Sequence, residues 1–283
     1  MSKNEAKNKK MTKSGVSPVR VLVEAAMMIA IATVLSILKL IDLPYGGGVT
    51  IAAMLPIIII SYRHGLGWGF LTGLVFGIIQ QLLGLDNLGW VTGWISILAV
   101  ILLDYVLAYM MTGLGGTFRK SMKQPYALLF GAVLVGLVRY IFHVIAGATV
   151  WAELPIPTAA SIVYSLSYNA TYMIPETIIT AVAAFYLGTV VDFRRVNLGN
   201  YEEDDAPTDI QWMKWIAGLL VTCVIIADVY LVFPHLQDAE TGEFILNGLK
   251  EVNWTLFGIV TGAGFVIAIV LYVLSKNLRK KKA

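Results

Sequence analysis

The sequence predicts an all-α integral membrane protein: a six-helix core, two additional transmembrane helices, and both termini on the cytoplasmic side. Three observations lead there. Hydrophobic residues fill 58% of the 283 positions and charged residues only 14%, which leaves too little polar surface for a water-soluble domain. The apolar residues gather into eight segments, at roughly 19–41, 49–62, 66–84, 91–113, 127–149, 160–192, 211–233 and 253–275, most of them close to the ~20 residues that cross a bilayer. Lysine and arginine are concentrated in alternate connections, as the positive-inside rule requires of a multi-pass protein.

The basic tail 1–18 contains Lys3, Lys7, Lys9, Lys10 and Lys13 and precedes a long apolar run. A secretory signal begins the same way, but this run holds Glu24 and lasts long enough to be an uncleaved first span. Arg63 follows the second segment, Arg119, Lys120 and Lys123 the fourth, Arg194 and Arg195 the sixth, and Lys276, Arg279, Lys280, Lys281 and Lys282 close the chain. These connections are assigned to the inside. Between the first two segments, Leu43-Pro-Tyr45-Gly46-Gly47-Gly48 lies outside. Its consecutive glycines suit a mobile lid over an external site, and a simple tight turn explains them as well. Pro56 and Pro175 fall within apolar segments and are expected to bend them. Gly65, Gly69, Gly73 and Gly77 recur every fourth residue, a strip that lets a neighbouring helix backbone approach. Trp68, Trp90, Trp94, Trp212, Trp215 and Trp254 sit near segment ends, where interfacial anchors belong. The acidic linker 194–210 divides a binding core, 19–193, from a two-span hairpin with a basic tail, 211–283.

No catalytic constellation is visible, and the chain is read as a non-enzyme without cofactor, metal or nucleic-acid partner. His64, His143 and His235 lack metal-ligand spacing, and the single cysteine, Cys223, excludes a cysteine-based cluster. The stretch Gly113–Ser121 has Arg119 where a phosphate-binding loop needs glycine, so the chain does not hydrolyse ATP by itself. What remains is polar chemistry inside apolar segments. Arg139, His143, Gly147 and Trp151 fall every fourth residue on one helix face, and Glu24, Asp104, Glu176 and Asp228 are acids that each need a partner or water. An acid with aromatic faces suits a small organic cation, with Tyr105, Trp151, Tyr164 and Tyr168 around Asp104 and with His143 and Asn169 nearby. Two arrangements fit the spacing. Asp104 pairs with Arg139, or Glu24 or Glu176 occupies Arg139 and leaves Asp104 for a ligand. On an ideal helix Tyr164 and Asn169 diverge by about 140°, so both reach one pocket only if it is wide or the helix irregular.

At these residues the sequence resembles the thiamine-specific substrate-binding (S) component of energy-coupling-factor (ECF) vitamin transporters, over about 18–193. The resemblance rests on Gly46-Gly-Gly-Val-Thr-Ile with Met54-Leu-Pro56, Leu103-Asp-Tyr105, Arg139-Tyr-Ile-Phe-His-Val-Ile-Ala-Gly147, and Tyr164-Ser-Leu-Ser-Tyr-Asn-Ala-Thr-Tyr-Met-Ile-Pro175. It implies a bacterial plasma-membrane protein that binds thiamine from outside and passes it inward. The family's pocket falls on Asp104, Tyr105, His143, Trp151, Tyr164 and Asn169. Ala26 and Ala30 resemble the docking face for the transmembrane coupling subunit, and two ATP-binding subunits supply the energy. Some members carry glutamate in place of Asp104, or a tryptophan in the first external loop where this chain has glycine near Gly47. Residues 211–283 have no counterpart in the six-span form. The competing reading is a self-sufficient, proton-coupled vitamin carrier in which the extra hairpin replaces the partners.

Overall fold

The computed structural model describes residues 17–153, 158–201, 211–236 and 247–282. Most of the basic N-terminal tail and the acidic stretch of the linker lie outside them. Helix α1, Pro18–Ile37, starts where Ser17 accepts from the Arg20 amide (3.3 Å) and Pro18 takes the first turn, a position that needs no amide hydrogen. A small antiparallel hairpin follows, β1 (Lys39–Asp42) and β2 (Gly48–Thr50), in which Ile41 faces Val49 and Asp42 faces Gly48. The next elements are α2 (Leu55–His64) and α3 (Leu66–Leu83), then α4 (Trp94–Gly116), α5 (Gln124–Glu153) and α6 (Thr158–Val190). Two strands of two residues each, β3 (Val191–Asp192) and β4 (Gly199–Asn200), close the core. Helices α7 (Gln211–Val232) and α8 (Trp254–Lys282) form the added hairpin.

Among the described residues six helices are long and apolar enough to cross a membrane: α1, α3, α4, α5, α6 and α8. The second apolar segment crosses the core not as one long helix but as β2 followed by the ten-residue α2, which carries the chain from the hairpin to Arg63 at the opposite end. At about 1.5 Å per residue α2 is roughly 15 Å long, half the thickness of the hydrocarbon core. Its residues Leu55 to Tyr62 are all buried. Wrapped by protein, the segment is as apolar as one wrapped by lipid. Pro56 is corrected: it lies in the first turn of α2, where it starts the helix and bends nothing. Pro175 does lie inside α6.

The glycine strip of α3 is a packing surface. A Cβ on Gly73 would fall 2.5 Å from the Tyr109 carbonyl oxygen, one on Gly77 would fall 2.8 Å from that of Tyr105, and one on Gly69 would fall 2.9 Å from Gly113. Helix α3 therefore lies backbone against backbone on α4. Gly65, with φ +99°, breaks the chain between α2 and α3.

At the end of the core opposite the β1–β2 hairpin, Glu24 gathers two arginines and a histidine. It accepts from Arg63 (3.1 and 3.3 Å), from Arg20 (3.2 Å) and meets His64 Nε2 at 2.7 Å. Arg63 and Arg20 also donate to the carbonyls of Phe193 (3.0 Å) and Val196 (2.6 Å), so one carboxylate joins α1, α2 and the segment after α6. The hairpin α7–α8 packs on α6. Tyr230 donates to the Leu40 carbonyl (3.2 Å), the Tyr126 and Tyr272 hydroxyls meet at 3.2 Å, and Leu236 is buried in the main core cluster.

Gly73→Leu should lower stability by about 1–3 kcal/mol, the usual cost of overpacking, whereas Gly67→Leu, which meets open space, should stay near wild type. Thermal unfolding in detergent checks this; equal shifts for the two would remove the packing role.

Candidate functional site

A cavity of about 1000 Å³ lies between the β1–β2 hairpin and helices α1 and α3–α6. Its back wall is α4, which is regular only in part: Val100–Leu107 winds as a π-helix between short α-helical turns. Such wide turns recur at functional sites, because they displace side chains from the regular helical pattern. Here the consecutive residues Asp104 and Tyr105 both line the cavity, with Tyr109 below them. Tyr105 accepts from the Asn87 amide (2.8 Å) and stacks on Tyr109, with ring centroids 6.4 Å apart.

Helix α5 supplies the expected stripe. Arg139, His143 and Gly147 all face the cavity. Trp151 continues the stripe in the last turns of the helix, and its side chain lies outside the described residues. Gly147 leaves room for α6: a Cβ there would sit 2.5 Å from Ser165 Oγ. Helix α6 contributes Tyr168, Asn169, Tyr172 and Glu176. Asn169 is buried and fully oriented by its neighbours. Its Nδ2 donates to the carbonyls of Ser165 (2.9 Å) and His143 (3.4 Å), and its Oδ1 accepts from Tyr172 (2.6 Å). Tyr164 is not among the lining residues; it stacks on Tyr168, rings nearly parallel and 6.5 Å apart. The divergence expected of positions 164 and 169 on one helix is thus resolved in favour of Asn169, with Tyr168 as the aromatic that faces the cavity.

The competition for Arg139 has a definite outcome. Glu176 Oε2 accepts from Arg139 (3.3 Å), and both side chains are about 5% exposed. The guanidinium also lies over the Tyr109 ring, 4.7 Å from its centroid, a cation–π contact that offsets part of its desolvation. Glu24 is too far along the molecule, engaged by Arg20, Arg63 and His64. Asp104 pairs with His143 instead, Oδ1 to Nδ1 at 2.8 Å. Arginine only donates hydrogen bonds, so His143 Nε2, 3.5 Å from Arg139, must present its lone pair. That assigns the proton to Nδ1, which donates to Asp104. Asp104 Oδ2 has no protein partner among the described residues. Asp104 therefore turns an open carboxylate oxygen to a cavity that is also lined by Asp86 and walled by Tyr45, Tyr105, Tyr168 and Tyr172.

The β1–β2 hairpin roofs this space. Tyr45 has φ +64° and Gly46 φ +89°, so the turn is a tight left-handed one. The Gly47 amide donates to the Tyr168 hydroxyl (3.0 Å), and a Cβ on Gly47 would meet that oxygen at 2.5 Å. Glycine is needed there because Tyr168 occupies the space.

Glu176, Tyr172, Tyr109, Asn87 and Thr50 were not singled out as lining residues from the sequence. For two of them a signal existed: Tyr164, Tyr168, Tyr172 and Glu176 repeat every fourth residue along one helix. Asn87 and Thr50 sit in loop and strand, where no periodicity points inward.

Glu176→Ala strands a buried guanidinium and should lower stability by on the order of 3–5 kcal/mol. Asp104→Asn leaves Arg139 neutralised and should unfold near the wild-type temperature. Ligand-free thermal melts separate the two; a large loss in Asp104→Asn would restore the pairing of Asp104 with Arg139.

A model of the family described as thiamine transporter protein (Thia_YuaJ) matches residues 22–192. The chain is 36% identical to the thiamine transporter ThiT of Bacillus subtilis over 173 residues, 57% of this chain and 86% of that protein. It is 27% identical to ThiT of Lacticaseibacillus paracasei over 189 residues, 60% of this chain and 87% of that one. The solved structure of ThiT from Listeria monocytogenes superposes with a TM-score of 0.50 at 19% identity, covering 60% of this chain and 93% of that one, a likeness of fold. The α7–α8 hairpin lies beyond the family match. With its long apolar helices the chain is a multi-pass plasma-membrane protein, and it belongs to the Thia_YuaJ thiamine transporter family.

Proposed function

We propose that this chain takes up thiamine as the substrate-binding and translocating S component of an ECF importer, with both termini on the cytoplasmic side. The observation that carries the reading is the open oxygen of Asp104 in an aromatic-walled cavity. Thiamine has a permanently cationic thiazolium ring and an aminopyrimidine that donates and accepts hydrogen bonds. An ionised carboxylate serves either group, by charge or by accepting from the amino group. Aromatic faces give the cation a second source of attraction. Tyr105, His143 and Asn169 complete the binding set, to which the family resemblance adds Trp151 and Tyr164, and Tyr45 to Gly48 form the lid.

Partner docking is assigned to α1. Ala26 and Ala30 are exposed, on a face that also carries exposed Val23, Met27 and Val34. Small residues on a lipid-facing strip let a second helix come close. A coupling subunit docked there, with two ATP-binding subunits, would supply the energy that this chain has no loop to extract. Residues 19–193 form the binding unit in this reading, and the α7–α8 hairpin is an addition on its α6 side.

Equilibrium binding of the purified chain to thiamine tests the assignment. Asp104→Asn should weaken binding by about 1–3 kcal/mol, the worth of a charge-assisted hydrogen bond, or roughly ten- to hundredfold. Unchanged affinity would remove Asp104 from the site. Replacing Ala26 or Ala30 with tryptophan should abolish uptake in cells while binding to the isolated protein survives; equal loss of both would show that these alanines pack the protein's own core. Uptake by the purified chain alone in vesicles, driven by a pH gradient without ATP, would make it a self-sufficient carrier instead.

A further inference from the structure

The β1–β2 hairpin is fastened at two places of different character. At the tip, the Gly47 amide donates to the Tyr168 hydroxyl (3.0 Å), a neutral bond beside the cavity. At the base, the Thr50 hydroxyl donates to Glu176 Oε1. Thr50 is the last residue of β2, two residues before Ala52, which adopts a left-handed φ of +54° where the chain turns into α2. The base of the hairpin is therefore a sharp corner, and the Thr50 hydroxyl is the side chain that pins it.

Glu176 is 5% exposed and uses both of its oxygens, Oε1 on Thr50 and Oε2 on Arg139. Neither partner can be exchanged for water without leaving a buried charged group short of a hydrogen bond. The tip bond joins two neutral groups, so its loss strands no buried charge, and a ligand in the cavity can replace it. We propose that Glu176 is the positioning residue of the lid: it holds Thr50 as a fixed pivot, so that the hairpin opens at Gly46–Gly48 and stays anchored at its base. Through its other oxygen the same carboxylate holds Arg139, which orients His143 and so keeps the Asp104 oxygen turned to the ligand. Lid and cation site then share one buried anchor. The inference rests on the reading of this cavity as the thiamine site, but its first test needs no ligand.

Hydrogen exchange of the hairpin amides is measured on the ligand-free, full-length protein, for wild type, Thr50→Val and Thr50→Ser. Valine keeps the shape and β propensity of threonine but removes the hydroxyl; serine keeps the hydroxyl. Thr50→Val should accelerate exchange across Gly48–Thr50 roughly ten- to hundredfold, the worth of one hydrogen bond to a charged group, while Thr50→Ser stays near wild type. Tyr168→Phe should accelerate exchange at Gly47 and spare the base. In stopped-flow binding, Thr50→Val should release thiamine faster by a similar factor with little change in association. Unchanged exchange in Thr50→Val, or serine behaving like valine, overturns the clasp even if thiamine binds. The expected exchange pattern in a protein that fails to bind thiamine would uphold the clasp and overturn the ligand instead.

Discussion

Inside a bilayer a charged side chain has to find its counter-charge within the protein, and in this chain that demand is met at the centre by Arg139 and Glu176. The pair crosses from α5 to α6, and much of the site is arranged around it. Arg139 rests on the Tyr109 ring of α4 and faces His143 one turn along its own helix. Glu176 reaches the base of the external hairpin. Four elements thus converge on two side chains. Because Arg139 has its counter-charge in Glu176, Asp104 is released from that duty and keeps an oxygen for something else. Buried ion pairs are weak evidence for stability in general; here the more telling point is what the pair leaves free.

Much of the architecture was legible in the sequence because a bilayer imposes simple rules. Helices α3 and α5 to α8 lie close to their apolar segments, and the four-residue spacing of Gly65 to Gly77 announced a close helix contact that the structure shows against Tyr105, Tyr109 and Gly113. The stripe Arg139, His143, Gly147 was visible for the same reason: one helix face is a matter of counting. What counting does not reach is choice among partners. Arg139 had three acids as candidates, and only the packing of α5 on α6 selected Glu176. The π-helical turn that brings Asp104 and Tyr105 to one wall has no signature in hydropathy. Nor has the break of the second crossing into strand and short helix, which read as one continuous apolar segment.

The added hairpin illustrates a related point. The acidic composition of the linker suggests a detached unit, yet α7 lies along α6, and Tyr230 reaches the carbonyl of Leu40 in the very strand that roofs the cavity. Connection and contact are separate properties. A solvated tether says how two parts are joined in the chain, and nothing about how their apolar faces meet.

The glycine strip of α3 has a consequence for how this site can change. Gly73 and Gly77 rest on the main-chain carbonyls of Tyr109 and Tyr105, directly behind the residues that form the back of the cavity. The brace behind this wall is main chain and offers no side chain to trim or enlarge, and any methyl group added to the strip pushes on the site from the rear. Altered ligand preference in such a protein therefore has to be written in the side chains that face the cavity, in Asp104 and Tyr105, the tyrosines of α6 and the turn above them, while the braced backbone acts as a fixed datum against which they are measured.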